Sequence, residues 1–178
     1  KHKMVDPYFT MIWNEQVPRV QHVDENGHTT QIALIAGSLG AVNATVTPPD
    51  SWAAPTENAI NIWTLSMAPA AQWTLPPTRS ECSRVLYAFS TQGLTVDDRT
   101  VTEPTGVQLR PDAEVLLQNG STSTELLLLE GMPIGEPVAQ HGPFVMNTHQ
   151  ELQQAFSDYQ RTGFGGWPWD RNDPISPR

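Results

Sequence analysis

The chain has 178 residues, 38% of them hydrophobic, which is enough for one domain with a substantial core. Its formal net charge is −9, with 10 basic residues against 19 acidic ones, so a cationic face for nucleic acid is not expected. Cys82 is the only cysteine, which excludes an internal disulfide and a thiolate zinc cluster. No apolar run is long enough to span a bilayer, and the N-terminus does not read as a signal peptide. We therefore expect a cytoplasmic protein without membrane contact.

Short apolar runs separated by proline, glycine, asparagine and aspartate dominate the first four fifths of the chain. Many of these runs alternate polar and apolar residues, which is typical of strands with one covered face. The predicted strands, in chain order, are residues 17–23, 30–36, 41–47, 61–67, 72–75, 84–90, 94–96, 100–102, 107–110, 114–118, 125–130 and 143–146. Turn signals at Asp24–Gly27, Asp97–Asp98 and Asn119–Gly120 join them, and the pattern predicts an all-β sandwich or barrel.

One segment has helical periodicity instead. After Thr148, the apolar residues Leu152, Ala155, Phe156 and Tyr159 recur on one helical face. Thr148 and Glu151 have the spacing of a capping box, in which the hydroxyl and the carboxylate satisfy each other's backbone N–H groups. The sequence predicts a helix that begins after Thr148 and ends at Gly163.

Residues that could carry chemistry are few. The five histidines are not spaced as pairs on one strand or one helix turn. His141 and His149 could meet in space with Glu130 or Glu136 as a carboxylate ligand, but a surface or structural role is the stronger interpretation and we expect no metal in this chain.

Two nucleophiles are also weak candidates. Ser38 lies in Gly37–Gly40, which lacks the G-x-S-x-G pattern and is better interpreted as a hairpin. Cys82 has no histidine close to it in the sequence, and a buried thiol is the more common case. Nucleophilic catalysis is therefore not expected.

The six tryptophans could line a pocket for an aromatic ligand, but core and interface packing is the more common use. Trp167 and Trp169 follow the predicted helix, where an apolar pair is suited to docking on another surface. We expect residues 170–178, with two prolines, to be poorly ordered.

Several segments together resemble the pirin family. Glu130–Val138 (EGMPIGEPV) and Gln140–Thr148 (QHGPFVMNT) are similar to the G-x-P-x-x-E-P-V and H/Y-G-P-F-V-M-N-T segments of pirins. Asp158–Gln160 resembles the D-Y-Q run that closes the pirin helix. Lys1–Pro7 is similar to the K-M-V-E-P segment with which pirins leave their first domain, and Ile35–Gly37 to the strand that follows it. The resemblance covers nearly the whole chain in order.

The resemblance implies a fold and a domain organisation. Pirins are bicupins, so the chain is expected to be all-β, a cupin-type double-stranded β-helix barrel with a C-terminal α-helix. Residues 1–16 would be a linker from an N-terminal cupin, 17–147 the C-terminal cupin barrel, and 148–169 the helix with its aromatic tail.

The resemblance also implies where the iron is. In pirins, three histidines and a glutamate of the N-terminal cupin hold it, and no residue here corresponds to them. In this barrel, residues 77–84 contain no histidine, and Val138 stands where a cupin metal histidine would be expected. No cofactor is therefore expected in this chain, and iron is expected in the N-terminal cupin.

Three functions are compatible with these features. The leading hypothesis is a non-catalytic C-terminal cupin that packs on and walls the iron-bearing N-terminal cupin of a quercetin 2,3-dioxygenase-like enzyme. The second is a redox-responsive regulator or protein-interaction module, with Phe144, Trp167 and Trp169 in an exposed apolar patch for a partner protein. The third is an independent cupin enzyme that uses His141, His149 and Glu136.

Overall fold

The computed structural model describes residues 4–6, 8–45, 47–89 and 93–166. Strands dominate it, and one α-helix follows them. The strands are β1 Arg19–Val23, β2 Thr29–Ala36, β3 Ser38–Leu39, β4 Val42–Asn43, β5 Asn61–Met67, β6 Gln72–Leu75, β7 Ser83–Ala88, β8 Leu94–Val96, β9 Arg99–Val101, β10 Thr105–Gln108, β11 Val115–Gln118, β12 Thr124–Gly131, β13 Ala139–His141 and β14 Phe144–Met146. The helix α1 spans His149–Thr162, and short 3₁₀ turns lie at Asn14–Gln16, Thr56–Asn58 and Gly163–Gly165.

The chain forms two compact units, one ending at Ile134 and the other beginning at Gly135. In the first unit, a six-stranded antiparallel sheet has the order β1-β2-β5-β12-β7-β10, and a four-stranded antiparallel sheet has the order β6-β11-β8-β9. Strands β3 and β4 form a separate hairpin. The all-β prediction for this part of the chain is confirmed.

The two sheets share one hydrophobic core, because every second residue of each strand faces inward. Strands β2, β5, β7 and β12 contribute Leu34, Trp63, Leu86 and Leu128, and all are almost completely buried. The four-stranded sheet contributes residues such as Leu117 from β11. Among the tryptophans that the structure describes, Trp63 and Trp73 are core residues.

The second unit contains the β13–β14 hairpin and α1. The predicted helix ends are confirmed: Thr148 is the N-cap of α1, and Gly163 is its C-cap with a left-handed φ of 54°. Leu152 and Ala155 are buried, as the helical periodicity predicts. Of the helices in the described ranges, none combines the length and the apolar character that a membrane span requires.

The strand prediction differs from the structure mainly in the shortest elements. The predicted strand 41–47 is reduced to Val42–Asn43, and the strands β3 and β13 were not predicted. The hairpin expected around Gly37 and Gly40 is present as β3–β4, whose turn follows Leu39. The prediction that residues 170–178 are poorly ordered falls outside the described residues.

Candidate functional site

A buried ion pair lies inside the first unit. Arg84 of β7 and Glu130 of β12 are direct cross-strand partners, and both face inward on neighbouring strands. Arg84 Nε lies 2.8 Å from Glu130 Oε2, and the two side chains are 0% and 2% exposed. Burial lowers the pKa of Arg84, and the neighbouring Glu130 carboxylate acts in the opposite direction, so the pair keeps the guanidinium charged.

Both terminal nitrogens of Arg84 also donate hydrogen bonds. One terminal nitrogen donates to the carbonyl oxygen of Ala113 at 3.3 Å, and the other donates to the carbonyl oxygen of Pro76. Arg84 therefore connects two strands of the large sheet to the segments before β7 and before β11. Such a charge is tolerated in a core only when a counter-charge and hydrogen-bond acceptors surround it.

Asn61 extends this pair towards the surface. Its side-chain Nδ2 donates to Glu130 Oε1 at 2.5 Å, and its Oδ1 accepts a hydrogen bond from the Ser38 backbone N–H at 2.9 Å. Asn61 of β5 and Glu130 of β12 are again cross-strand partners. Both carboxylate oxygens of Glu130 are thus engaged, one by Arg84 and one by Asn61.

The structure does not bring the proposed metal ligands together. His141 lies on β13 and contacts the ring of Phe156 edge-on, with ring centroids 5.4 Å apart. Glu136 accepts a hydrogen bond from the Asn147 side chain at 3.1 Å, and His149 is the first residue of α1. In residues 4–6, 8–45, 47–89 and 93–166, no three histidine, cysteine, aspartate or glutamate side chains are placed to hold a metal ion.

The positions at which a cupin would carry its metal ligands do not suit iron either. Val138 is an aliphatic, 76% exposed side chain, and Cys82 is a buried free thiol. The interior of the first unit is filled by aliphatic and indole side chains from both sheets. The described residues of this chain therefore do not fit an iron site of the histidine and glutamate type.

Phe144 lies in an aromatic cluster within the second unit. Its ring centroid is 4.5 Å from that of Phe156, 5.7 Å from that of Tyr159 and 6.2 Å from that of Phe164. Phe144 is half-buried, whereas Tyr159 and Phe164 are about half exposed. Trp167 and Trp169 lie outside the described residues, so their predicted contribution to this patch stays a prediction.

The capping box at the start of α1 has the predicted geometry. The Glu151 backbone N–H donates to Thr148 Oγ1 at 3.2 Å, and the Thr148 N–H donates to Glu151 Oε2 at 2.8 Å. The same carboxylate oxygen accepts from the Asn147 N–H at 3.0 Å. Thr148 and Glu151 therefore fix the point at which the chain turns from β14 into the helix.

The solvent face of the six-stranded sheet exposes several large apolar side chains beside polar ones such as Thr64, Ser66 and Glu125. Tyr87 and Leu127 are cross-strand partners on this face, and Phe89 follows directly after β7. Phe89 is 57% exposed, and Ile35, Tyr87 and Leu129 are each about 40% exposed. We call these five residues the apolar outer face. The corresponding face of the four-stranded sheet carries mostly hydroxyl and amide side chains, Thr74, Thr95, Thr100 and Gln118, together with the half-buried Leu116, the cross-strand partner of Thr74.

Glu130, a candidate carboxylate ligand in the sequence, pairs with Arg84 instead, and this pairing was not predicted. A signal was available in the alternation: Arg84 is in phase with the inward-facing Leu86 and Ala88, and Glu130 with Leu126 and Leu128. Two opposite charges at inward positions of two strands indicate a buried ion pair when those strands are neighbours.

Comparison with known families gives a consistent result. The model of the pirin C-terminal cupin domain matches residues 62–165. Pirin-1 of Arabidopsis thaliana is 30% identical over 166 residues, which cover 92% of this chain and 54% of the relative. A Thermoplasma acidophilum protein, named as a candidate quercetin 2,3-dioxygenase, is 26% identical over 162 residues, 91% of this chain and 60% of that protein.

Solved structures agree with the sequence comparison. A quercetin 2,3-dioxygenase from Acinetobacter baumannii superposes with a TM-score of 0.73 at 25% identity, covering 92% of this chain and 52% of that protein. The predicted cupin fold is confirmed. The chain spans between about half and three fifths of the length of these relatives.

Proposed function

The chain belongs to the pirin family through its C-terminal cupin domain, and we propose that it serves as the non-catalytic half of a pirin-like protein. In this role it packs on an iron-bearing N-terminal cupin and forms one wall of that cupin's site. The assembled protein would act as a quercetin 2,3-dioxygenase, the activity that relatives carry in their names. Iron bound by the N-terminal cupin would supply the oxygen chemistry.

The observation that carries this proposal is the filled interior of the barrel. Its core consists of aliphatic and indole side chains from both sheets, such as Leu34, Trp63 and Leu128. The charged residues Arg84 and Glu130 form an ion pair with each other. Glu130 also accepts a hydrogen bond from Asn61, and Arg84 donates to two backbone carbonyl groups. The interior is therefore built for packing, and a substrate would have to bind elsewhere in the assembly.

The length of the relatives supports the second half of the proposal. The matching portion makes up 60%, 54% and 52% of these relatives, so each of them is between about 1.7 and 2 times as long as that portion. The matching family model is that of a C-terminal cupin domain, and the resemblance to pirins implies a further cupin before it. We propose that this further cupin is the direct partner.

The apolar outer face is the surface that we propose for this contact. Apolar side chains exposed on one face of a sheet are typical of a surface that another layer covers. Its members Tyr87, Phe89 and Leu129 are aromatic or aliphatic, whereas the exposed Thr74 and Thr100 of the four-stranded sheet suit solvent. We propose this face in addition to Phe144, Trp167 and Trp169, the interface residues that the sequence predicted.

Association with the N-terminal cupin, expressed as a separate chain and loaded with iron, tests the proposal. Native mass spectrometry with metal analysis should show a one-to-one complex with roughly one iron, all of it retained by the partner. Leu129→Lys should weaken the complex about tenfold or more, because a charge would be buried at the contact. Thr74→Lys, on the outer face of the four-stranded sheet, is the matched control and should leave the affinity of the complex unchanged.

Two results would contradict the proposal. Stoichiometric iron in this chain alone would make it a metal-binding cupin. Equal affinity of the Leu129→Lys and Thr74→Lys variants for the N-terminal cupin would remove the apolar outer face from the interface.

A further inference from the structure

A cavity of about 360 Å³ lies beside the β3–β4 hairpin. Its walls come from this hairpin, from the segment that connects β4 to β5, and from the first residue of β5. This volume falls within the range of about 300–1,000 Å³ that is usual for small-molecule sites. The proposed wall role in the assembled protein does not use this cavity.

Residues 52–58 of the connecting segment are held to the rest of the unit by hydrogen bonds. The Trp52 indole N–H donates to the carbonyl oxygen of Met132 at 2.9 Å, and the Asn58 side chain donates to the carbonyl oxygen of Trp52 at 2.8 Å. The Met132 N–H donates in turn to the carbonyl oxygen of Asn58 at 2.8 Å. This part of the cavity wall is therefore held in place before a ligand arrives, which reduces the ordering cost of binding.

The chemistry of the wall selects a class of ligand. The polar side chains that line it are neutral hydroxyls and amides: Ser38, Asn43, Thr45, Thr47, Thr56 and Asn61. Methyl and ring carbons of Ala53, Pro55 and Ile60 lie between them. None of the described lining residues is ionisable, so a phosphate or carboxylate would lose hydration without gaining a counter-charge. A neutral molecule with apolar faces and hydroxyl groups matches this surface.

Asn61 gives the cavity an oriented hydrogen-bonding group. A side-chain amide has two N–H donors and two acceptor lone pairs. Glu130 takes one N–H, and the Ser38 N–H takes one lone pair, so one donor and one acceptor remain. Since only the Nδ2 group can donate to the Glu130 carboxylate, and Arg84 holds that carboxylate, the orientation of the amide is fixed.

From this arrangement we propose that the cavity binds a neutral hydroxylated ring compound. Asn61 anchors one hydroxyl group of the ligand, which can donate to Oδ1 and accept from Nδ2. The threonine and serine hydroxyls of the wall bind further hydroxyl groups, and the ring lies against the apolar side chains. This adds a small-molecule site to the C-terminal cupin itself.

Catechol is the probe for a direct test with the full chain. In two-dimensional ¹⁵N NMR, the side-chain amide of Asn61 and the backbone amide of Ser38 should shift saturably, with a Kd of about 20 mM or tighter for a ligand of this size. Benzoate, which carries a carboxylate on the same ring, should bind at least about tenfold more weakly. Absence of a saturable catechol shift at Asn61, or equal binding of benzoate, would overturn the proposal.

Two substitutions locate the binding site. Ala53→Phe places a ring in the cavity and should weaken catechol binding about tenfold or more. Ala54→Phe adds the same ring at the next residue, which does not line the cavity, and should leave the Kd within about twofold. If Ala53→Phe disturbs the amide spectrum as a whole, Thr56→Trp at an exposed wall position replaces it. Equal catechol binding by the filled variant and the Ala54→Phe control would show that the cavity is not the site.

Discussion

Arg84 and Glu130 face each other from neighbouring strands, with Arg84 Nε 2.8 Å from Glu130 Oε2 and both side chains removed from solvent. Each residue is the counter-charge that makes the burial of the other tolerable. Glu130 also fixes Asn61, which lines the cavity beside the β3–β4 hairpin. The pair thus connects the packing of the core to the orientation of a surface amide.

Removal of one partner should be far more damaging than removal of both. Glu130→Leu leaves an unpaired buried guanidinium and should lower the free energy of unfolding by about 3–5 kcal/mol. The double variant Arg84→Met with Glu130→Leu should lose less than either single variant, because no buried charge remains. Urea unfolding monitored by circular dichroism measures these differences.

An exposed ion pair provides the control for this cycle. Arg161 donates to Asp158 at 2.7 Å, but its side chain is 72% exposed. Arg161→Met should change the free energy of unfolding by no more than about 1 kcal/mol. A Glu130→Leu effect as small as this would mean that water reaches the buried pair.

Gly37 should be irreplaceable at the cavity, whereas Gly40 in the same hairpin should tolerate alanine better. A Cβ at Gly37 would lie 1.8 Å from Asn61 Oδ1 and 2.4 Å from the carbonyl oxygen of Ile60, at a φ of +84°. A Cβ at Gly40 meets no atom within 4 Å, at a φ of +59°. We expect a loss of about 1–2 kcal/mol for Gly40→Ala from its left-handed backbone, and about 3 kcal/mol or more for Gly37→Ala.

Thermal unfolding of both alanine variants checks this difference. The side-chain amide resonances of Asn61 provide a second readout, because displacement of Asn61 should shift them in Gly37→Ala but not in Gly40→Ala. Equal stability losses with unchanged Asn61 resonances would contradict the close approach of Gly37 to Asn61.

Asp24 should contribute to the acid sensitivity of the fold. Its carboxylate accepts the backbone N–H groups of Asn26, His28 and Gln72 at 2.9, 2.9 and 3.0 Å. Burial acts to raise the pKa of Asp24, but these hydrogen bonds and the nearby His28 ring hold it below its usual value. The native state therefore binds this proton less readily than the unfolded chain does.

The sign of the effect follows from this lowered pKa. The stabilisation is fully present above the unfolded pKa of Asp24 and is lost as the pH falls through the folded pKa. Asp24→Asn should be less stable than the wild type near neutral pH, and the difference should shrink towards about pH 3. Urea midpoints across this range measure it, with Asp98→Asn in an exposed turn as the control. A constant difference at all pH values would assign the effect to packing rather than to ionisation.

The capping box should set the local stability of α1. Thr148→Ala removes the acceptor for the Glu151 N–H and should cost about 0.5–2 kcal/mol. Amide hydrogen exchange at Glu151 and Leu152 should become faster by a corresponding factor. Gln150→Ala lies in the same helical turn at an exposed position and should leave these rates nearly unchanged. Equal exchange rates in both variants would show that the Thr148 cap does not determine the local stability of α1.

Local signals were sufficient for most of the secondary structure. The bounds of β5, β6 and β8 agree with the predicted 61–67, 72–75 and 94–96, and α1 begins and ends at its predicted caps. Short-range patterns of polar and apolar alternation and of helix capping specify these elements. The strands β3 and β13 were missed, and β3 has only two residues, too few for a recognisable period.

The sequence by itself determined the all-β character, the capped helix and, through motifs near the C-terminus, the family. Only the tertiary structure decided that Glu130 lies between Asn61 and Arg84, since strand β12 pairs with both β5 and β7. Asn61 and Glu130 are 69 residues apart, and no local period specifies which distant strands pair. The cavity and the apolar outer face likewise result from packing, because each combines side chains from segments that become neighbours only in the folded chain.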